Sequence, residues 1–167
     1  MICLECGTRM RARRKQTVPY AESGIPDLWL KGITVYRCRK CGAVYPEFPN
    51  LRRLHRGIAN WIAERLLPLT GPEFRFLRKQ MGFSTRELAE IMGARRESVS
   101  RWETGGESIG AQSDRLIRLV YGVWCTPEGE KLPPHLQRIR DTLTSIQRKR
   151  ERRPAKVILS PAALVHR

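Results

Sequence analysis

The chain has 167 residues and carries 32 lysines and arginines against 16 aspartates and glutamates, a formal net charge of +16. An excess of that size points to a polyanionic partner, and the length allows one ordinary domain or two small ones. No apolar run approaches the ~20 residues of a membrane span, and Met1-Ile2 runs straight into a cysteine pair without a leader-like stretch, so a soluble protein of a reducing compartment, with no membrane association, is expected.

Residues 1–50 read as a zinc-binding domain. Cys3-Leu4-Glu5-Cys6-Gly7 and Cys38-Arg39-Lys40-Cys41-Gly42 repeat one device. Two thiolates separated by two residues can bite one ion from a tight turn, and tetrahedral zinc takes four soft ligands. The glycine after each second thiolate lets the turn close with positive φ. Cys3, Cys6, Cys38 and Cys41 are therefore the expected ligands of one structural Zn2+ per chain. Disulfides and thioredoxin-like redox pairs use the same spacing elsewhere, but fit a chain with no secretory leader poorly. About 50 residues are too few for a self-sufficient core, so metal must supply folding energy. The segment Leu28, Leu30, Ile33, Val35, Tyr36 reads as a strand feeding Cys38, and Val44-Tyr45 starts a returning strand. Pro19, Gly24 to Asp27 and Gly32 are expected to supply turns. The result is a small zinc-ribbon-like sheet. The run Arg11 to Lys15 could touch nucleic acid or an acidic protein.

Residues 51–69 read as a connecting helix. Leu51, Leu54, Ile58, Trp61 or Ile62, and Leu66 form an apolar stripe, Asn50 can cap the start and Pro68 the end. Arg52, Arg53, Arg56 and Arg65 fall on the other face, and His55 reads as polar surface.

Residues 70–127 carry three capped helices. Thr70-Gly71-Pro72-Glu73 is a capping box with Leu69 and Phe74 as a staple, and Ser84-Thr85-Arg86-Glu87 repeats it with Phe83 and Leu88. The second helix stops at Met92-Gly93, and a third runs from about Arg95 to Glu103, closed by Thr104-Gly105-Gly106. Two short helices across a glycine turn are a helix-turn-helix signature. At ~100° per residue, Val99 and Trp102 share one side of the third helix, and Glu97 and Arg101 the other. A recognition helix in the major groove presents such an outward face. There Arg101 could bind guanine O6 and N7, and Glu97 could accept from cytosine N4; an i,i+4 surface ion pair between them is the alternative. Thr85, Arg86, Arg95, Arg96, Glu97, Ser98, Ser100 and Arg101 are the DNA-facing candidates. Leu116, Ile117, Leu119 and Val120 are expected to close the core, and Cys125 reads as a small buried hydrophobe.

Residues 128–167 read as a basic helical extension and tail. Pro133-Pro134 starts a helix whose stripe Leu136, Ile139, Leu143, Ile146 packs back on the domain or pairs with a second protomer. Arg148 to Arg153 follows as a basic run, and His135 and His166 read as isolated. Residues 70–127 hold 9 basic and 7 acidic side chains, whereas residues 128–167 hold 10 and 4. That pattern suits a specific reader flanked by phosphate-seeking arms. No phosphate-cradling glycine loop, Gly-x-Ser-x-Gly elbow or His-Glu-x-x-His occurs, so no enzyme is expected. The fold class is α+β: a zinc-ribbon-like β domain, then an all-α helix-turn-helix domain with a helical extension.

The two cysteine pairs, together with Phe83-Ser84-Thr85-Arg86-Glu87-Leu88-Ala89-Glu90-Ile91-Met92-Gly93 and Ser98-Val99-Ser100-Arg101-Trp102-Glu103-Thr104-Gly105, resemble the MqsA-type antitoxins, which are zinc-finger and Xre-like helix-turn-helix repressors of bacterial toxin–antitoxin operons. Pro19-Tyr20 and Leu30-Lys31-Gly32-Ile33 add to the likeness, which spans roughly residues 1–122. The resemblance implies a zinc domain that neutralises a ribonuclease toxin, and a homodimer whose C-terminal domains read a palindromic operator in the bacterial cytoplasm, at the nucleoid. Cys3, Cys6, Cys38 and Cys41 match the family's zinc ligands and Arg101 its base-reading arginine. Thr85 stands where members often carry glutamine, and Glu97 where the MqsA recognition helix carries a base-contacting asparagine, so a different operator is implied. Three readings are open: an autoregulating antitoxin, a solitary zinc-ribbon/helix-turn-helix regulator, and a zinc-ribbon adaptor for RNA or protein.

Overall fold

A computed structural model describes residues 1–48 and 50–125, together with 131, 133, 134, 136–138 and 141. It is a mixed α+β molecule: strands β1 (Arg11–Pro19), β2 (Trp29–Arg37) and β3 (Val44–Glu47), then helices α1 (Leu51–Glu64), α2 (Gly71–Gln80), α3 (Thr85–Met92), α4 (Arg96–Thr104) and α5 (Ala111–Trp124). The strands form one antiparallel sheet in the order β1-β2-β3.

β1 covers the basic run that sequence alone left without a structure. Hydrophobic alternation could not reveal it, because residues 11–15 are all exposed and only Gln16 and Val18 are half-buried. Its pairing with β2 holds two irregularities that cancel. Arg13 faces Val35, Gln16 faces Ile33 and Thr17 faces Lys31, so one extra residue on β1 is followed by one on β2. Lys15 at φ 56° and Gly32 at φ 88° are the left-handed residues at the two bulges. Gly32 thus restores register inside β2 instead of making a turn.

The hairpin between β1 and β2 is anchored in the helical core. Tyr20 and Ile25 are buried in the same cluster as Ile58, Ile62, Phe74, Leu77, Leu88 and Ile117. The Tyr20 hydroxyl and His55 Nε2 share a 2.6 Å hydrogen bond, and the His55 ring stands edge-on to Phe76 at 5.7 Å. His55 therefore ties the hairpin to α1 and α2, correcting its reading as plain polar surface.

α1 starts where expected, with Asn50 Oδ1 accepting from the Arg53 amide at 2.9 Å. Ile58, Ala59 and Ile62 face the core, so Ile62 and not Trp61 carries the stripe, and Leu66 is wholly exposed beyond the helix. The helix ends at Glu64, not at Pro68. The reason lies on α5: the Arg118 guanidinium donates to the carbonyls of Ile62 (3.1 Å), Ala63 (2.9 Å), Arg65 (2.7 Å) and Leu67 (2.8 Å). The Ile62 and Ala63 oxygens are among those a helix end leaves orphaned, and those of Arg65 and Leu67 lie just past it. Asp114 adds a 2.7 Å bond from the Leu69 amide. Arg65 turns inward to an ion pair with Glu73 and stacks on Trp61 at 5.0 Å, so it is not on a free basic face.

Both capping motifs work. The Glu73 carboxylate accepts from the Thr70 amide at 2.8 Å; Ser84 Oγ accepts from the Glu87 amide at 3.2 Å, and the Glu87 carboxylate from the Ser84 amide at 2.8 Å. The Ser84 amide, and after it the Ser84 hydroxyl, hold the Glu87 carboxyl below its ordinary pKa. Gly71 lies so close to α4 that an added Cβ would sit 2.3 Å from the Trp102 carbonyl oxygen, leaving glycine alone able to fit. Arg78 of α2 then locks α4 from inside, meeting both oxygens of Glu103 at 2.5 and 2.9 Å and the Phe83 carbonyl at 2.7 Å. In α5, Ile117, Val120 and Tyr121 are buried, whereas Leu119, expected in the core, is 68% exposed.

Past α5 the Gln137 amide donates to the Pro133 carbonyl at 2.9 Å, one helical turn at the expected Pro133-Pro134 start. His135, Ile139, Leu143, Ile146, the run 148–153 and His166 lie outside the described residues.

Candidate metal centre and nucleic-acid interface

The four cysteines expected to act together do come together. Each pair sits in a knuckle built by the same bonds. The Cys3 amide donates to the Thr8 carbonyl at 3.0 Å and the Cys38 amide to the Ala43 carbonyl at 2.9 Å, and Gly7 (φ 71°) and Gly42 (φ 77°) supply the left-handed residue that closes each turn. The first knuckle is held by an Ile2–Arg9 bridge, and the second lies between β2 and β3. A small apolar cluster of Met10, Tyr36, Ala43 and Tyr45 packs behind Cys3 and Cys38.

The sulfurs have the geometry of a ligand set. Cys3 and Cys41 Sγ are 3.5 Å apart, as are Cys6 and Cys38 Sγ, and all four lie within 4.8 Å of one another. A tetrahedron with metal–sulfur bonds of ~2.3 Å has sulfur–sulfur edges of roughly 3.8 Å, whereas a disulfide needs about 2.05 Å. Electrostatics supports a cation at the centre. The Thr8 hydroxyl and amide bring the Cys6 thiol down to about 6, and the Cys41 amide lowers Cys38. At Cys41 the Ala43 amide pulls the same way, but the crowded Cys3 and Cys38 sulfurs outweigh it and carry the thiol up to about 12. Four thiolates at this spacing repel, and a divalent cation resolves the conflict. These four residues could hold one metal ion.

The other expected residues gather at α3 and α4. Gly93, at φ 64°, ends α3, and Ala94 and Arg95 lead into α4. Val99 and Trp102 are buried, and Arg96, Glu97, Ser100 and Arg101 are exposed on the opposite side. Arg95 is the exposed residue preceding the helix, and Ser98 is half-buried. On α3, Thr85 is half-buried, and Arg86 points to solvent with an ion pair to Glu90 at 3.1 Å. The alternative partner weighed for Arg101 is replaced: its ion pair is with Glu107 at 3.8 Å, not with Glu97. That contact is long and solvated, so the guanidinium is free to exchange it.

Two features escaped the sequence reading. One is the set of internal arginines, Arg65, Arg78 and Arg118, since an arginine in a helix gives no sign of which way it turns. The other is an open apolar groove of about 640 Å³ between β2 and α1, lined by Leu28, Trp29, Ile33, Phe48, Leu54 and Trp61 with Arg53 among them. Trp29 and Trp61 are 57% and 51% exposed; both carried the signal, being large aromatics in segments already predicted as ordered. Cys125 packs partly buried against the core, and burial pushes its thiol up, which fits an inert side chain.

Comparison with models of protein families, with curated proteins and with solved structures found no match to this chain.

Proposed function

We propose that the chain is a sequence-specific repressor of double-stranded DNA, the antitoxin of a toxin–antitoxin operon that autoregulates its own promoter. The observation that carries this reading is the outward face of α4, where Arg96, Glu97, Ser100 and Arg101 stand exposed on a helix locked to α2 by the Arg78–Glu103 pair. α3 and α4 make the helix-turn-helix, and α4 enters the major groove. Arg101 reads guanine and Glu97 accepts from cytosine, while Thr85, Arg86, Arg95, Ser98 and Ser100 position the helix on the backbone. A homodimer places two such helices on a palindromic site, in the cytoplasm at the nucleoid.

The ion at Cys3, Cys6, Cys38 and Cys41 is zinc, whose preference for four thiolates in a closed tetrahedron fits the site. Its role is to hold the sheet. The antitoxin half of the reading is favoured by the groove between β2 and α1. Its apolar floor and Arg53 suit a protein partner that presents an apolar side chain flanked by carboxylates. A solitary regulator would keep the α4 chemistry and leave that groove without a toxin.

The test is co-expression with the product of the adjacent reading frame, followed by purification and a band-shift titration on the chain's own upstream DNA. A complex that is lost on Trp61→Glu, with a shift specific to a palindrome, is expected. A specific shift with no co-purifying protein leaves the solitary regulator, and no preference for any duplex over another removes the repressor reading.

A further inference from the structure

The cations of the sheet are built differently from those of the helices. Among the described residues the ion pairs all lie between Arg65 and Arg118. Residues 1–50 hold 9 basic and 4 acidic side chains, and none of those cations pairs with a carboxylate. The sheet register then gathers several of them. Arg11 pairs directly with Arg37 across β1 and β2, and Arg13 follows two residues along the same face, about 6.8 Å further on. Like charges directly opposite in a sheet are destabilising, and here all three are exposed. Arg14 and Lys15 at the β1 bulge are exposed as well, with Lys15 in the left-handed conformation.

We propose that this cationic face of the sheet, centred on Arg11, Arg13 and Arg37, is a second nucleic-acid contact that binds the phosphodiester backbone of duplex DNA without regard to sequence. It is separate from the α4 face and does not depend on base reading there. A charge cluster with no carboxylate of its own is neutralised by a polyanion, with release of the condensed counterions. An acidic protein is the other polyanion to consider, but protein interfaces centre on a large buried anchor. Trp29 stands at the far end of β2, opposite Pro19, and Val44, across from Arg37, is too small for that role. A regular, hydrated array of phosphates needs no such anchor.

The test is a fluorescence-anisotropy titration of the full chain on a duplex unrelated to its upstream DNA, between about 50 and about 200 mM salt. Three phosphate contacts account for about 2.7 in the slope of log affinity against log salt. R11Q/R13Q/R37Q is expected to lose that much slope, each single glutamine variant about 0.9, and R11K/R13K/R37K none. The single variants, checked by metal content and circular dichroism, keep the result readable if the triple variant folds poorly. An unchanged slope in the singles overturns the proposal, as does loss of binding to polyglutamate with DNA binding intact, which would assign the face to an acidic protein. R101A in the same titration separates the two sites. If the chain prefers no duplex and R101A changes nothing, but the glutamine variants lose slope, the repressor reading fails and this one stands.

Discussion

In the helical half of the molecule three arginines are structural: Arg78 bonds Glu103 inside the core, Arg65 bonds Glu73, and Arg118 collects the carbonyls at the end of α1. In the sheet half the arginines face solvent and, among the described residues, none forms an ion pair, and Arg11 even stands opposite Arg37. The cores differ in the same sense. Helices α1 to α5 close on a large apolar cluster, whereas the cluster at the knuckles is built on just three buried residues, Cys3, Met10 and Cys38. Net charge alone therefore says little about which cations meet a partner. What separates them is whether the fold buries each against an acceptor, as it does Arg65, Arg78 and Arg118 but not Arg86 or Arg101.

The largest effect is expected from stripping any ion held by Cys3, Cys6, Cys38 and Cys41. A structural ion contributes on the order of 10 kcal/mol, so a strong chelator or Cys38→Ser should abolish the sheet, read as loss of the Cys-proximal amide protection in hydrogen exchange, while helices α2 to α5 keep theirs. Equal protection with and without metal would show that the knuckles fold unaided. Next in size is the buried pair. Glu103→Ala leaves Arg78 charged in the core without its counter-ion and should cost ~3–5 kcal/mol in urea unfolding, whereas replacing both residues with apolar ones should cost far less. Similar losses in both variants would mean that packing, not charge, dominates there.

Arg118→Ala sharpens the point about acceptors. It removes charged hydrogen bonds to four carbonyls at the close of α1, and ~2–3 kcal/mol is expected, with increased exchange at residues 62–69. Arg115, its exposed neighbour on α5, should tolerate the same substitution within ~0.5 kcal/mol. The smallest effect is the α3 cap. Ser84→Ala should cost ~1 kcal/mol. Because the Glu87 carboxyl is held below its ordinary pKa by Ser84, its contribution is present above the ordinary carboxylate range and fades as pH falls through the lowered value. The wild-type advantage over Glu87→Ala should shrink in acid, because the Ser84 amide bonds the charged carboxylate, and an advantage that grows there would contradict the cap.

Much of this was legible in the sequence where a local rule fixes a local structure. Asn50, Ser84 with Glu87, Gly93 and Gly105 mark helix ends in the positions expected, and the two Cys-x-x-Cys-Gly pairs converge. Periodicity also placed Val99 and Trp102 inside and Arg101 outside. It failed where one helix position competes with its neighbour, as with Trp61 and Ile62, and for Leu119, which sits on the stripe yet faces out. β1 was missed because an edge strand wet on both faces has no alternation to read. The roles of His55 and Arg118 depend on residues 35 and more than 50 positions away, and no local pattern carries that.

The central claim is that α4 reads DNA bases through Arg101. The most direct test compares wild type and Arg101→Ala in band-shift titrations on the chain's own upstream DNA and on an unrelated duplex at one fixed salt concentration. The account predicts a loss of ~1–3 kcal/mol confined to the upstream site, with one base position relaxed. An equal loss on both duplexes would make Arg101 a phosphate contact and contradict base reading by this face.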